Sequence, residues 1–226
     1  MGDYAIYYGL TAIALIITLG AQWFVHHNYK KFLKVNNSKG LTGEAVARKI
    51  LDMNGLQSVG IGEATGLLSD HYDPRNKVVR LSSDIYHKDT LSSVAVAAHE
   101  CGHAIQDKDG YFFLKIRSTI APFASISSYL GYVAIVIGCI FGLLDLILLG
   151  IALELVILAF QLITLPVEFN ASSRALKILN DNHIIESEEV KGCSKVLKAA
   201  ALTYVASVAA TVLEILRLLL MFVRRD

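Results

Sequence analysis

The sequence predicts an α-helical, multi-span membrane protein with a small mixed α/β unit built from the segments between its apolar blocks. Three observations predict it. Hydrophobic residues make up 54% of the 226 and mean hydropathy is +0.50, both high for a soluble chain of this length. Three blocks are long, apolar and nearly free of charge. The two segments between them hold most of the basic residues, with 13 Lys and Arg in 26–120 and five in 168–198.

The first block is "YAIYYGLTAIALIITLGAQWFV", residues 4–25, which carries no charge. About 20 apolar residues span a bilayer, so residues 1–25 are read as a transmembrane anchor. A cleaved secretory signal would begin basic and have a shorter apolar core. Tyr7, Tyr8 and Trp23 suit the membrane interface, and His26 and His27 read as a solvated flank.

Residues 26–120 read as mixed α/β. "LTGEAVARKILDMNGL" has apolar residues at 46, 50 and 51, Thr42 as cap and Gly55 as stop, hence an amphipathic helix. "SDHYDP" reads as a turn, and "KVVRLS" is strand-like. The stretch Val78–Leu81 is expected to be an edge strand, open to a substrate backbone. "DTLSSVAVAAHECGHAIQDKDG" starts at Asp89 or Thr90 and stops at Gly110, hence a second helix.

Residues 121–167 hold only Asp145 and Glu154 as charges. They suit a transmembrane hairpin, with helices at 121–143 and 147–166 and a tight turn near "GLLD". Residues 168–198 return to water, with a helix from Glu168 to Asn180. Residues 199–226 are a C-terminal hydrophobic helix containing Glu214 and Arg217.

Lys30, Lys31 and Lys34 follow the first span, and Lys115 and Arg117 precede the second. The positive-inside rule then puts both polar segments in the cytoplasm. The terminal Arg224 and Arg225 oppose that rule if the last block crosses. Net charge is +1, which gives no case for a nucleic-acid partner. Three cysteines without a C-x-x-C pair argue against a disulfide framework and a cysteine zinc site.

The chemistry lies in "AAHECGHAI", residues 97–105. His99 and His103 are four apart on one helix face and can offer two imidazole nitrogens to one ion. Zinc takes such ligands and, in catalytic sites, keeps a position for water. Glu100 beside them is placed to deprotonate that water. Cys101 points to another side of the helix and reads as a small buried residue. Gly102 and the alanines at 97, 98 and 104 keep the helix slim. The plain alternative is a solvated pair of histidines.

A third ligand must come from elsewhere, because residue 106 is Gln and residue 109 is Asp, not the Gly and His of a longer zinc motif. Glu168, where the third span returns, is the carboxylate best placed for it. Asp145 lies at the far turn, Glu154 lies within a span, and Glu186, Glu188 and Glu189 form a solvated cluster. Ser172, four residues on, can orient a ligand from behind. An interfacial glutamate without function is the competing reading of Glu168. Tyr204 in "ALTYVA" is a candidate to steady the oxyanion, or an interfacial tyrosine. His71 and Asp73 are weaker candidates to line the cleft and His183 to donate to the oxyanion, and Arg174 is expected to pair with a carboxylate.

"LTGEAVARKILDMNGL", "DHYDPRNKVVRLSSDIY", "AAHECGHAIQD", "LPVEFNASSRALKIL" and "AAALTYVA" together resemble the YugP-like family of neutral zinc metallopeptidases, from about Leu41 to the last span. In layout the family is similar to gluzincin membrane proteases of the CAAX-processing and heat-shock types. The resemblance implies a zincin-like catalytic unit and a zinc-dependent metalloendopeptidase acting on proteins or peptides. It also implies one zinc per chain, held by His99, His103 and Glu168, with Glu100 as base. In the gluzincin relatives an Asp often follows the third ligand by four residues; here that position is Ser172. Two rivals are a non-catalytic zinc-binding membrane scaffold, for which Glu100 would have no use, and a site-2-type intramembrane protease. Asp89, Asp107 and Asp109 bracket the motif helix, which is too short and too polar-ended to span.

Overall fold

The computed structural model describes residues 2–223. Arg224, Arg225 and Asp226, which bear on the orientation of the last span, lie outside the described residues. The elements run α1 (Gly2–Phe32), α2 (Gly43–Met53), β1 (Gly60–Ala64), β2 (His71–Asp73), β3 (Val78–Ser82), α3 (Ser83–His87), α4 (Leu91–Lys108), α5 (Phe112–Phe141), α6 (Leu144–Asp181) and α7 (Ser187–Val223). Four of these, α1, α5, α6 and α7, are long and apolar enough to cross a membrane. The chain is a helical membrane protein with a small mixed α/β unit.

Two compact units divide the chain. The first comprises Met1–Gln22, Lys115–Pro166 and Thr203–Asp226, and it consists of stretches of the four long helices. Ile147 and Ile151 of α6 pack with Ile215 and Leu218 of α7. A Cβ added at Gly150 would stand 2.3 Å from Ile135 of α5, so glycine sets the α5–α6 approach, as small residues do between membrane helices. Gly142, at φ +68°, makes the turn between α5 and α6. Tyr129, Ile140 and Phe141 are exposed, as residues facing lipid would be. Within α7, Arg217 Nε donates to Glu214 at 2.9 Å, so these two charges in the apolar stretch of the helix pair with each other.

The second unit comprises Trp23–Leu114 and Val167–Leu202. Its core gathers Ile50 and Leu51 of α2, Val79 and Leu81 of β3, Ile85 of α3, Val94 and Ala98 of α4, Leu179 of α6, and Ile184. Burying each of the Val, Leu and Ile side chains contributes roughly 1.5–3 kcal/mol. Thr42 caps α2 by accepting from the Ala45 N–H at 3.2 Å, and Gly55 ends the segment at φ +70°.

The sheet has the order β1-β3-β2. β1 is parallel to β3, from Gly60 opposite Val78 to Ala64 opposite Ser82. β2 is antiparallel to β3, with His71 opposite Arg80. The strand at 78–82 is therefore the centre of the sheet and not its edge. Both of its sides are hydrogen-bonded, so it has no free side to accept a substrate backbone; the open strands are β1 and β2.

The helices also outrun their expected limits. α1 continues through the basic flank to Phe32, and α5 and α6 meet two residues apart. The helix expected to begin at Glu168 is the continuation of α6, which passes through Pro166 without ending. Proline lacks an N–H, yet long membrane helices accommodate it when neighbours satisfy the freed groups.

Candidate metal centre

The start of α4 is pinned by backbone and side-chain bonds. Thr90 Oγ1 accepts from the Ser93 N–H at 3.2 Å. The Leu91 N–H donates to the Val35 carbonyl at 2.8 Å. Buried Asn37 donates from Nδ2 to the Asp89 carbonyl at 2.6 Å, and Ser92 Oγ donates to the Tyr29 carbonyl at 2.9 Å. At the other end Gly110 turns the chain at φ +65°. Ala97, Ala98, Cys101 and Ala104 are all buried, so the small residues let neighbours cover the helix on most sides.

Spacing of four brings the His99 and His103 rings together, with centroids 4.7 Å apart. Each ring turns Nε2 toward one carboxylate oxygen. Glu168 Oε2 lies 3.3 Å from His99 Nε2 and 3.6 Å from His103 Nε2. The three donor atoms all lie within 4.8 Å of one another. Two donors on a tetrahedral zinc at ~2.0–2.1 Å stand about 3.3–3.4 Å apart. The two imidazole–carboxylate separations fit such an ion with small adjustments, and two imidazoles with a carboxylate are a donor set zinc accepts.

The opposite ring nitrogens are also occupied. His99 Nδ1 lies 3.2 Å from Ser172 Oγ, and His103 Nδ1 lies 3.0 Å from Gln106 Oε1. The expectation for Ser172 corresponds to the first contact. Gln106 entered the sequence reading only as a residue that breaks a longer motif. The three-residue spacing from His103 was the one local signal for it; its other partners, Val167 and Asn170, lie 61 and 64 residues away.

Glu100 is 7% exposed and Glu168 2%. Burial pushes the Glu100 carboxyl above the ordinary carboxylate range; His99 and His103 pull it back in part, and Glu168 and Asp70 add to the rise. A carboxyl held high is suited to taking up and giving back a proton near neutral pH. Burial pulls the His103 ring down, but Glu168, Glu100 and Gln106 together lift it above its ordinary value. That pocket favours a positive charge on the imidazole face.

Other expected residues fall elsewhere. Cys101 Sγ donates to the Ala47 carbonyl at 3.6 Å, away from the histidine face, and burial pushes its thiol well up. His71 is exposed, and its Nδ1 lies 2.8 Å from the Ser69 carbonyl. Asp73 Oδ1 accepts the Arg75 and Asn76 N–H groups at 2.9 and 3.1 Å, so it builds the β2–β3 turn. "DHY" lies partly in a strand, not wholly in a turn. His183 is exposed at φ +47° just after α6. Arg174 pairs with Asp109 at 2.5 Å, as expected. Tyr204 is half-buried on α7 and belongs to the first unit.

Comparison with known proteins gives a family. The model described as "Putative neutral zinc metallopeptidase" matches residues 7–223. The chain is 45% identical over 213 residues to "Putative membrane protease YugP" of Bacillus subtilis (strain 168), covering 94% of this chain and 95% of that protein. No solved structure matches. A donor set suited to zinc, on a helical membrane protein whose length is matched almost end to end, agrees with that match: the chain belongs to the YugP-like family, described as "Putative neutral zinc metallopeptidase".

Proposed function

We propose that the protein is a zinc-dependent endopeptidase that cuts proteins or peptides at the cytoplasmic face of the membrane, with one zinc per chain. The observation that carries this reading is the meeting of His99, His103 and Glu168 on a helix that also carries the buried Glu100. Among the described residues theirs is the group with metal-sharing geometry, which supports a single ion.

His99, His103 and Glu168 would hold the ion. Zinc bound at such a set supplies Lewis acidity toward a carbonyl oxygen and toward water. Glu100 then takes a proton from the attacking water and hands it to the leaving amine nitrogen, the two halves of general base and general acid work. Ser172 and Gln106 hold the rings from behind, so the ligand nitrogens face inward. A scaffold would have no use for Glu100, since a structural zinc needs no base.

The cytoplasmic assignment is supported by the exposed Lys30, Lys31 and Lys34 after the first span and by the basic excess of both polar segments. The test of the reaction is hydrolysis of a fluorogenic peptide blocked at both ends by the purified protein in detergent. Cleavage that a chelator abolishes and zinc restores is the expected result. No cleavage across a broad peptide library would contradict the reading.

A further inference from the structure

Gln106 is wholly buried and stands one turn beyond His103 on α4. A buried amide must satisfy one oxygen and two N–H groups, and here each has a defined partner. Nε2 donates to the Val167 carbonyl at 2.8 Å and to Asn170 Oδ1 at 2.9 Å. Oε1 faces His103 Nδ1 at 3.0 Å.

The orientation of this amide does not depend on which end is labelled nitrogen. A backbone carbonyl only accepts, so the amide nitrogen must face Val167. Arg174 Nε only donates, and it meets Asn170 Oδ1 at 2.8 Å, so the oxygen of Asn170 faces inward and again requires the nitrogen of Gln106. Both constraints leave Oε1 toward His103. An amide oxygen only accepts, so Nδ1 carries a proton, and the nitrogen left to offer a lone pair to an ion is Nε2, on the side of Glu168. Ser172 exerts no such constraint on His99, because a hydroxyl both donates and accepts.

We propose that Gln106 is a positioning residue of the metal centre: it locks His103 in the Nδ1–H tautomer and ties the two-histidine helix α4 to α6, which carries Glu168. The inference rests on the zinc reading above, but it concerns affinity for the ion and not the fate of a peptide. Partners behind a ligand histidine typically govern affinity 10–100-fold.

The test uses two variants of the full-length protein in detergent, with zinc affinity measured by chelator competition and thermal midpoint measured without metal. Gln106→Met keeps the bulk and removes all three bonds. Gln106→Glu keeps an acceptor for Nδ1 and removes the two donors to α6. Both should lower the metal-free midpoint, because both cut the tie between helices. Zinc affinity should fall about 10–100-fold in Gln106→Met and stay within about threefold of wild type in Gln106→Glu, since a carboxylate also supports a ligand histidine. Equal losses in both, or wild-type affinity in Gln106→Met, would overturn the tautomer lock. A zinc-loaded structure of the wild type with Gln106 Oε1 beyond hydrogen-bonding reach of His103 Nδ1 would overturn it without any variant. A wild type that takes up zinc but cuts no peptide would refute the peptidase reading and leave this one standing.

Discussion

Gly102 and Ala171 bring α4 and α6 into backbone contact. A Cβ on Gly102 would stand 2.7 Å from the Ala171 carbonyl oxygen and 3.2 Å from its Cα. Those atoms are backbone and cannot swing aside. Gly102 adjoins His103, and Ala171 is three residues past Glu168, so this approach sets how near the carboxylate comes to the rings.

The first prediction follows from that contact. In an open helix, Gly→Ala adds about 1 kcal/mol of stability. Here overpacking should cost roughly 1–3 kcal/mol, so the net sign reverses or the gain vanishes. Gly102→Ala should lower zinc content and thermal midpoint together, measured on the purified protein. A more stable variant with full zinc would show that the helices can part without loss.

The second concerns the third ligand. With Glu168→Ala, two imidazoles remain, fewer protein ligands than a catalytic zinc site uses. Zinc content should fall as far as it does in His103→Ala, while helical circular dichroism of the detergent-solubilised protein stays near wild type. Metal analysis giving near-stoichiometric zinc in Glu168→Ala would remove Glu168 from the set.

The third concerns topology. Asn76 is exposed in the turn between β2 and β3. A cysteine there, in a Cys139→Ser background because Cys139 is exposed, should resist a membrane-impermeant thiol reagent in intact cells and react after lysis. Cys101 and Cys193 are buried and should contribute little signal. Labelling in intact cells would invert the assignment.

Much of this was legible in the sequence for physical reasons. Caps and stops act locally, so Thr42, Gly55, Thr90 and Gly110 mark α2 and α4 without knowledge of their neighbours. The four-residue histidine spacing is also local. The meeting of Glu168 with the histidines was approachable because a returning span leaves few carboxylates to choose from.

Other features depend on contacts distant in sequence. β1 reads "GIGEA", and Gly60 and Gly62 mask it, since glycine is poor in strands. Gly60 suits the place because a Cβ there would press on Val78 at 3.3 Å. Nothing in the alternation of "KVVRLS" separates a central strand from an edge; the crossover placing β1 beside β3 decides that. Pro166 looks like a helix end, and in α6 it is not. Gln106 shows its role only once α6 lies against it.

The central claim, that Glu100 is the base beside a zinc it does not bind, is tested most directly by Glu100→Gln measured twice on one purified sample. Metal analysis should give about one zinc per chain, as in wild type, while peptide hydrolysis falls by about 10²–10⁴-fold, the usual contribution of base catalysis. Wild-type hydrolysis by the zinc-loaded variant would contradict the account, and so would loss of the zinc.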